Sequence, residues 1–134
     1  MENKKPYIPQ TKFDDAAVAM LHTMPLEQIR EDVPVLLMWI QDMNWPIASE
    51  VSDYFVSYVN EIKKEILEIF QINDEIWKHN VLSLLYEASY KLDEMLILSV
   101  KRMASAPTPS EKEDEVDELA TAILQRQAEL NAED

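Results

Sequence analysis

The sequence predicts an all-α protein built from successive helix pairs, and three observations support this fold class. The chain of 134 residues contains no glycine, which disfavours the positive-φ positions of tight hairpins and phosphate-binding loops. Apolar residues recur at intervals of three and four along most of the chain, as on the buried face of a helix. Ser, Thr, Asn, Asp and Pro stand where helices would begin. We therefore expect helices throughout.

The first third of the chain carries short elements. Residues 1–12 are basic and contain two prolines, which predicts an extended lead-in before a single helical domain over residues 13–130. Two short helices follow, the first ending at Pro25 and the second at Asp32. We expect Asp32 to cap the next helix, with Pro34 in its first turn, where a missing N–H does no harm.

Three longer helix pairs make up the rest of the chain. They span residues 34–42 with 45–59, 60–71 with 74–88, and 90–104 with 109–127. The expected N-caps are Asn44, then Asn73 or Asp74, and finally Thr108, which forms a capping box with Glu111. A period of about 30 residues suits two-helix solenoid units better than a four-helix bundle.

Composition excludes several classes of site. Without cysteine there are no disulfides, thiolate metal sites or cysteine nucleophiles, and without glycine there are no Walker or dinucleotide-binding fingerprints. His22 and His79 belong to no HExxH pattern, so we expect neither metal nor cofactor. No apolar run approaches the roughly 20 residues of a membrane span, and no signal core follows the N-terminus. We expect a cytoplasmic protein.

The net charge of the chain indicates which kinds of partner it can attract. There are 26 acidic against 12 basic residues, a net charge of −14. Such a surface repels nucleic-acid phosphates and anionic membranes, so neither is an expected partner. A basic protein is the natural electrostatic complement. The alternative is that the acidity serves only solubility, and composition alone leaves both interpretations open.

The densest set of candidate functional side chains lies at the corner of the first long helix pair. Gln41, Asp42 and Asn44 stand there with Trp45 beside them. One interpretation is a recognition corner with an acidic acceptor, two amides and an aromatic platform. The alternative is that Asp42 and Asn44 cap helix ends while Gln41 bonds to backbone across the turn.

Trp77, Lys78 and His79 form a second cluster one repeat later. Corresponding helices of a repeat stack lie side by side, so both clusters would share one edge or the concave face, and His79 would oppose Asp42 as an acid–base pair. A solvated histidine is the simpler alternative, because no nucleophile or oxyanion hole accompanies it. Enzymatic activity is therefore not expected.

Three stretches of the chain look familiar: LMWIQDMNWPIA at residues 37–48, DEIWK at 74–78, and PT at 107–108 followed by EVD at 115–117. With them the chain resembles an uncharacterised family of bacterial proteins with a HEAT-like α-α superhelical fold. The resemblance covers the chain from about Asp32 onward and leaves residues 1–12 outside. It implies about three helix pairs preceded by short helices, and it supplies no catalytic residue.

Three functions from different classes fit these observations. The leading one is a non-enzymatic, HEAT-like module that binds a basic protein, for example an immunity-type inhibitor that masks a toxin or nuclease. The second is an enzyme or small-molecule binder with a cleft formed by Asp42, Asn44, Trp45, Trp77, Lys78 and His79. The third is a structural or regulatory subunit whose tryptophan corner belongs only to the core.

Overall fold

The computed structural model describes residues 5–132, which contain helices and no strand. The prediction of an all-α protein is confirmed. The helices are α1 Asp15–Leu21, α2 Leu26–Ile29, α3 Val33–Leu37, α4 Ala48–Phe55, α5 Lys63–Phe70, α6 Glu75–Glu87, α7 Glu94–Ser105, α8 Pro109–Glu113 and α9 Val116–Ala132. Short 3₁₀ turns at Arg30–Asp32, Met38–Ile40 and Val56–Tyr58 extend α2, α3 and α4.

Side chains cap the first turns of α1, α6, α7 and α8, whereas α2 to α5 begin without such a bond. The Asp74 carboxylate accepts the Trp77 amide at 3.0 Å at the start of α6, which confirms one of the two alternatives for that cap. Thr108 and Glu111 form the predicted capping box at the start of α8. Each such cap is worth about 0.5–2 kcal/mol.

One predicted cap is wrong, and a second is correct in position only. Asn44 does not begin a helix, because residues 45–47 form a bend and a turn and α4 starts only at Ala48. Asp32 is the N-cap residue of α3 and Pro34 lies in its first turn, as predicted, but the Asp32 side chain bonds no amide of the helix. Its carboxylate instead accepts from the Lys5 ammonium at 2.8 Å and from the Tyr7 hydroxyl. A charged partner from a distant segment therefore replaces the backbone amide that a local pattern predicts.

Several predicted helix boundaries are also wrong. The helices expected from residues 60 and 90 begin at Lys63 and Glu94. The helix predicted over 109–127 is two helices, because Glu115 takes a positive φ of 60° between α8 and α9. Beyond residue 127 it does not fray but continues to Ala132, and Gln127 itself is buried.

Helices close in sequence pack on one another, and their side chains bond across the junctions. The Tyr54 hydroxyl donates to the Met24 carbonyl at 2.8 Å, and the Trp77 indole N–H donates to the Leu37 carbonyl at 3.1 Å. Further along, α6 and α7 both pack on α9. One hydrophobic core runs through these layers from Tyr7 to Ile123.

The segment before α1 adheres to the domain. Residues 1–4 of the predicted lead-in lie outside the described residues. Tyr7 is buried and belongs to the core, and Pro9 is buried as well. The Lys5 ammonium bridges Glu31 at 2.7 Å and Asp32 at 2.8 Å. Residues 5–9 are therefore a strap across the start of α3.

Candidate functional site

The tryptophan corner is stabilised by a turn that the Asp42 side chain closes. The Asp42 carboxylate accepts a hydrogen bond from the Asn44 backbone N–H at 2.9 Å. Aspartate commonly closes a local turn in this way. The Trp45 amide then donates to the Asp42 carbonyl at 3.1 Å. The rings of Trp39 and Trp45 meet edge to face, with centroids 5.5 Å apart and planes at 67°. The Asp42 side chain thus sets the turn that brings the two indoles together.

Helix α6 holds the corner in place by donating side-chain hydrogen bonds to its backbone carbonyls. The Asn80 amide donates to the Ile40 carbonyl at 2.8 Å and to the Gln41 carbonyl at 3.2 Å. With the Trp77–Leu37 bond, these contacts satisfy backbone acceptors that the end of a helix leaves without intrahelical partners. Trp77 is buried, and its indole N–H is occupied by the bond to the Leu37 carbonyl.

Lys78 belongs to a buried ion network. Its ammonium lies 2.8 Å from Glu111 and 3.2 Å from Glu75. Glu111 is fully buried and also accepts two bonds from the Arg102 guanidinium, at 2.5 and 2.8 Å. The Arg102 guanidinium, followed by Lys78 and the Thr108 amide, lowers the pKa of Glu111 to about 2. The network ties α6, α7 and α8 together.

The seven residues predicted as a site do not line one cleft. Gln41 and Trp45 line a groove together with Pro9, Val35, Met38 and Trp39, which we call the Trp groove. His79 lines a separate, smaller groove with Ile76, Asn80 and Asp114. Within residues 5–132 no hydrogen bond joins Asp42 to His79, and the Asp42 carboxylate accepts from Asn44 instead. The acid–base pair considered from the sequence is therefore not formed.

The structure reveals a further surface that sequence reasoning missed. Asp15, Val18, Ala19 and His22 from α1 and its C-cap face Glu50 and Asp53 of α4 across a cleft of about 440 Å³. We call this the acidic cleft. None of its lining residues is a lysine or arginine. Glu50 and Asp53 stand three residues apart on one helix face, which the sequence shows, but the pairing of α1 with α4 comes only from the fold.

His22 joins the two walls of the acidic cleft. Its Nε2 lies 2.9 Å from the Glu50 carbonyl oxygen, to which it donates when that nitrogen carries the hydrogen. The ring packs edge to face on Tyr54, with centroids 5.8 Å apart. Burial, reinforced by Tyr58 and Glu27, raises the pKa of Tyr54 to about 12. The Tyr54 hydroxyl therefore stays protonated and keeps its bond to the Met24 carbonyl.

Residues 5–132 contain neither a cluster of metal ligands nor a membrane-spanning helix. Across residues 5–132, no three His, Asp or Glu side chains converge closely enough to hold a metal ion. In the same part of the chain, no helix has both the length and the apolar character needed to cross a bilayer.

Comparison with known proteins places the chain in a family. The sequence model of the domain of unknown function DUF5071 matches residues 7–124, which is most of the chain and includes part of the 1–12 segment that the sequence resemblance left outside. No curated protein matches the chain. The chain therefore belongs to the DUF5071 family of domains of unknown function.

Proposed function

We propose that this protein is a non-enzymatic binding module for a basic protein, and that the acidic cleft is its principal contact surface. The observation that carries the proposal is the cleft itself. Three carboxylates, from Asp15, Glu50 and Asp53, line it with no lysine or arginine among the lining residues. Such a surface attracts lysine and arginine side chains of a partner.

The charge of the chain segment that contains Glu50 and Asp53 supports the proposal. From residue 31 to residue 62 the chain has six acidic residues and no lysine, arginine or histidine. Asp32 is bound to Lys5, but Glu50 and Asp53 are exposed and make no ion pair within residues 5–132. An unpaired acidic surface raises the association rate with a basic partner, and this effect weakens with salt over a Debye length of about 8–10 Å.

The scaffold that presents the cleft is, in this proposal, a HEAT-like superhelix. Support comes from side-chain bonds that link successive helix pairs at similar sequence separations. Tyr54 reaches Met24, 30 residues away, and the Asn60 amide donates to the Lys91 carbonyl, 31 residues away, at 3.0 Å. In stacked repeats each unit contacts chiefly its neighbours. Such a scaffold would present the cleft with little reorganisation on binding.

One concrete form of this function is an immunity-type inhibitor that masks a basic toxin or nuclease in the cytoplasm. Masking requires a surface that competes with an acidic substrate for the basic active surface, and a carboxylate-lined cleft offers that chemistry. The net charge of −14 further disfavours nucleic acid and anionic membrane as partners.

The test compares two triple variants of equal net charge. In one, the cleft is neutralised by Asp15→Asn, Glu50→Gln and Asp53→Asn. In the other, three exposed acids elsewhere are neutralised by Glu68→Gln, Glu113→Gln and Glu129→Gln. Capture from lysate of the native host at low and moderate salt, followed by identification of the bound proteins, is done for both variants and the natural chain.

We expect the natural chain and the control variant to capture the same basic protein, and the cleft variant to lose it. Equal loss in both variants would show that only the overall charge attracts the partner. Capture of no basic protein by the natural chain at either salt concentration would refute the proposal.

A further inference from the structure

The Trp groove is an aromatic-walled surface depression outside the acidic cleft. The indoles of Trp39 and Trp45 form two of its walls at 67° to each other. Val35, Met38 and the strap residue Pro9 supply aliphatic walls, and Gln41 adds a polar group. Val35 and Met38 remain 44% and 49% exposed. The groove is thus open to a partner and is not filled by the chain's own core.

The volume of the groove suits one side chain of a partner. It is about 250 Å³, below the roughly 300–1,000 Å³ of typical small-molecule pockets. Most of its lining is apolar, and the Gln41 carboxamide is its one side chain with hydrogen-bonding atoms apart from the indole N–H groups. A flat side chain with a polar rim would match walls of this kind.

The aromatic walls, in a stretch of sequence without basic residues, favour a cation among the side chains that fit, although no lining residue is itself charged. The groove is lined by residues 35–45 and Pro9, and no basic residue occurs between residues 31 and 62. The only charged residue between 35 and 45 is Asp42. The face of an indole attracts cations, and arginine stacks on tryptophan more often than lysine does. The Gln41 carbonyl oxygen can accept from a guanidinium N–H.

We propose that the Trp groove receives an arginine side chain of the partner protein, stacked on the indoles of Trp39 and Trp45. The inference rests on the proposed function in one respect, namely that the partner is basic. The groove then provides specificity for one anchoring residue, while the acidic cleft provides attraction at longer range. Large, well-packed aromatic contacts of this kind commonly dominate binding energy at protein interfaces.

The test is a titration of the ¹⁵N-labelled chain with N-acetyl-arginine amide, followed by the indole N–H signals. The chain has three tryptophans, and the third, Trp77, is buried with its N–H bonded to the Leu37 carbonyl. We expect the Trp39 and Trp45 signals to shift and saturate while the Trp77 signal moves little. N-acetyl-citrulline amide, the uncharged analogue of the same shape, should bind about 5-fold more weakly.

Two variants at one exposed position control for charge without disturbing the core. Val35→Lys places a cation at the groove and should abolish the shifts, whereas Val35→Glu should strengthen binding. Because Val35 is 44% exposed, both variants are expected to fold, which the unchanged Trp77 signal would confirm.

Equal binding of the arginine and citrulline compounds would overturn the inference and identify the groove as a purely apolar or shape-selective site. Absence of any shift, or equal shifts of all three indoles, would also overturn it. None of these three results would affect the proposed function, because capture of a basic partner through the acidic cleft is measured separately with the cleft variants.

Discussion

Replacing Glu111 by glutamine should destabilise the fold more than any single exposed substitution. Its carboxylate is fully buried and accepts from the Lys78 ammonium, the Arg102 guanidinium and the Thr108 amide. Glu111→Gln keeps the shape but removes the charge. Lys78, which is only 4% exposed, then retains Glu75 at 3.2 Å as its one ionic partner among residues 5–132.

Two independent arguments give a similar value for the free energy of unfolding lost on Glu111→Gln. The pKa of Glu111 falls from 4.5 to about 2 on folding, chiefly because of Arg102, and this difference corresponds to about 3 kcal/mol of stability at neutral pH. Removing one partner of a buried ion pair costs about 3–5 kcal/mol. The Arg102 side chain is 44% exposed, so water screens part of its interaction and the lower end applies.

The pH dependence has a defined sign. Because the folded-state pKa lies below the unfolded one, the contribution of Glu111 is complete above about pH 4.5 and declines as the pH falls toward 2. The difference in free energy of unfolding between the natural chain and Glu111→Gln should therefore be about 3 kcal/mol at pH 7 and about 1 kcal/mol at pH 3. Both values describe the effect of the Glu111 carboxylate alone and not the stability of the whole protein.

Urea denaturation followed by far-ultraviolet circular dichroism, at pH 7 and at pH 3, measures these differences. The matched control is Glu113→Gln, an exposed glutamate two residues away in α8, which should change the free energy of unfolding by less than about 0.5 kcal/mol. A cost below about 1 kcal/mol for Glu111→Gln, or a cost that does not shrink at low pH, would refute the argument.

Three further predictions concern other positions. Tyr90→Phe removes the hydroxyl that accepts the buried Val59 amide at 3.0 Å, so we expect a loss of about 1–3 kcal/mol in urea denaturation; no loss would mean that another acceptor serves this amide. Glu115→Gly relieves a positive φ of 60° and should raise the free energy of unfolding by about 0.5–1 kcal/mol, whereas destabilisation would contradict the assigned conformation. Asn80→Ala removes the cap of the Ile40 carbonyl and should cost about 1 kcal/mol in the same assay, with a change in the near-ultraviolet tryptophan spectrum; an unchanged spectrum would argue against docking of the corner by α6.

The features that were predicted correctly depend on residues close in sequence. The Asp74 cap and the Thr108–Glu111 capping box each join residues three positions apart, so a local pattern contains all the information needed. The all-α class followed from helical periodicity and the absence of glycine for the same reason. The predicted helix starts at residues 60 and 90 are wrong. The Asn60 side chain donates to the Lys91 carbonyl and accepts from the Asp93 backbone N–H in the next helix pair. Residue 60 therefore links two helix pairs and does not begin a helix.

The structure separates the residues that the sequence grouped into one candidate site. The corner around Asp42, Asn44 and Trp45 exists, but it sets a turn and builds one wall of the Trp groove. The roles of Trp77 and Lys78 depend on partners 40 and 33 residues away, which no sequence pattern identifies. The acidic cleft could not be predicted from the sequence, because its carboxylates come from helices some 35 residues apart in the chain.

By itself the sequence determined the helical class, the local caps and the acidic character of the protein. These properties depend on backbone preferences over a few residues and on composition, both of which are independent of the path of the chain. Only the tertiary structure decided which polar side chains are consumed in the interior and which face solvent. A buried charge must find its partner wherever the packing of helices supplies one, and for Glu111 and Lys78 that partner lies on another helix.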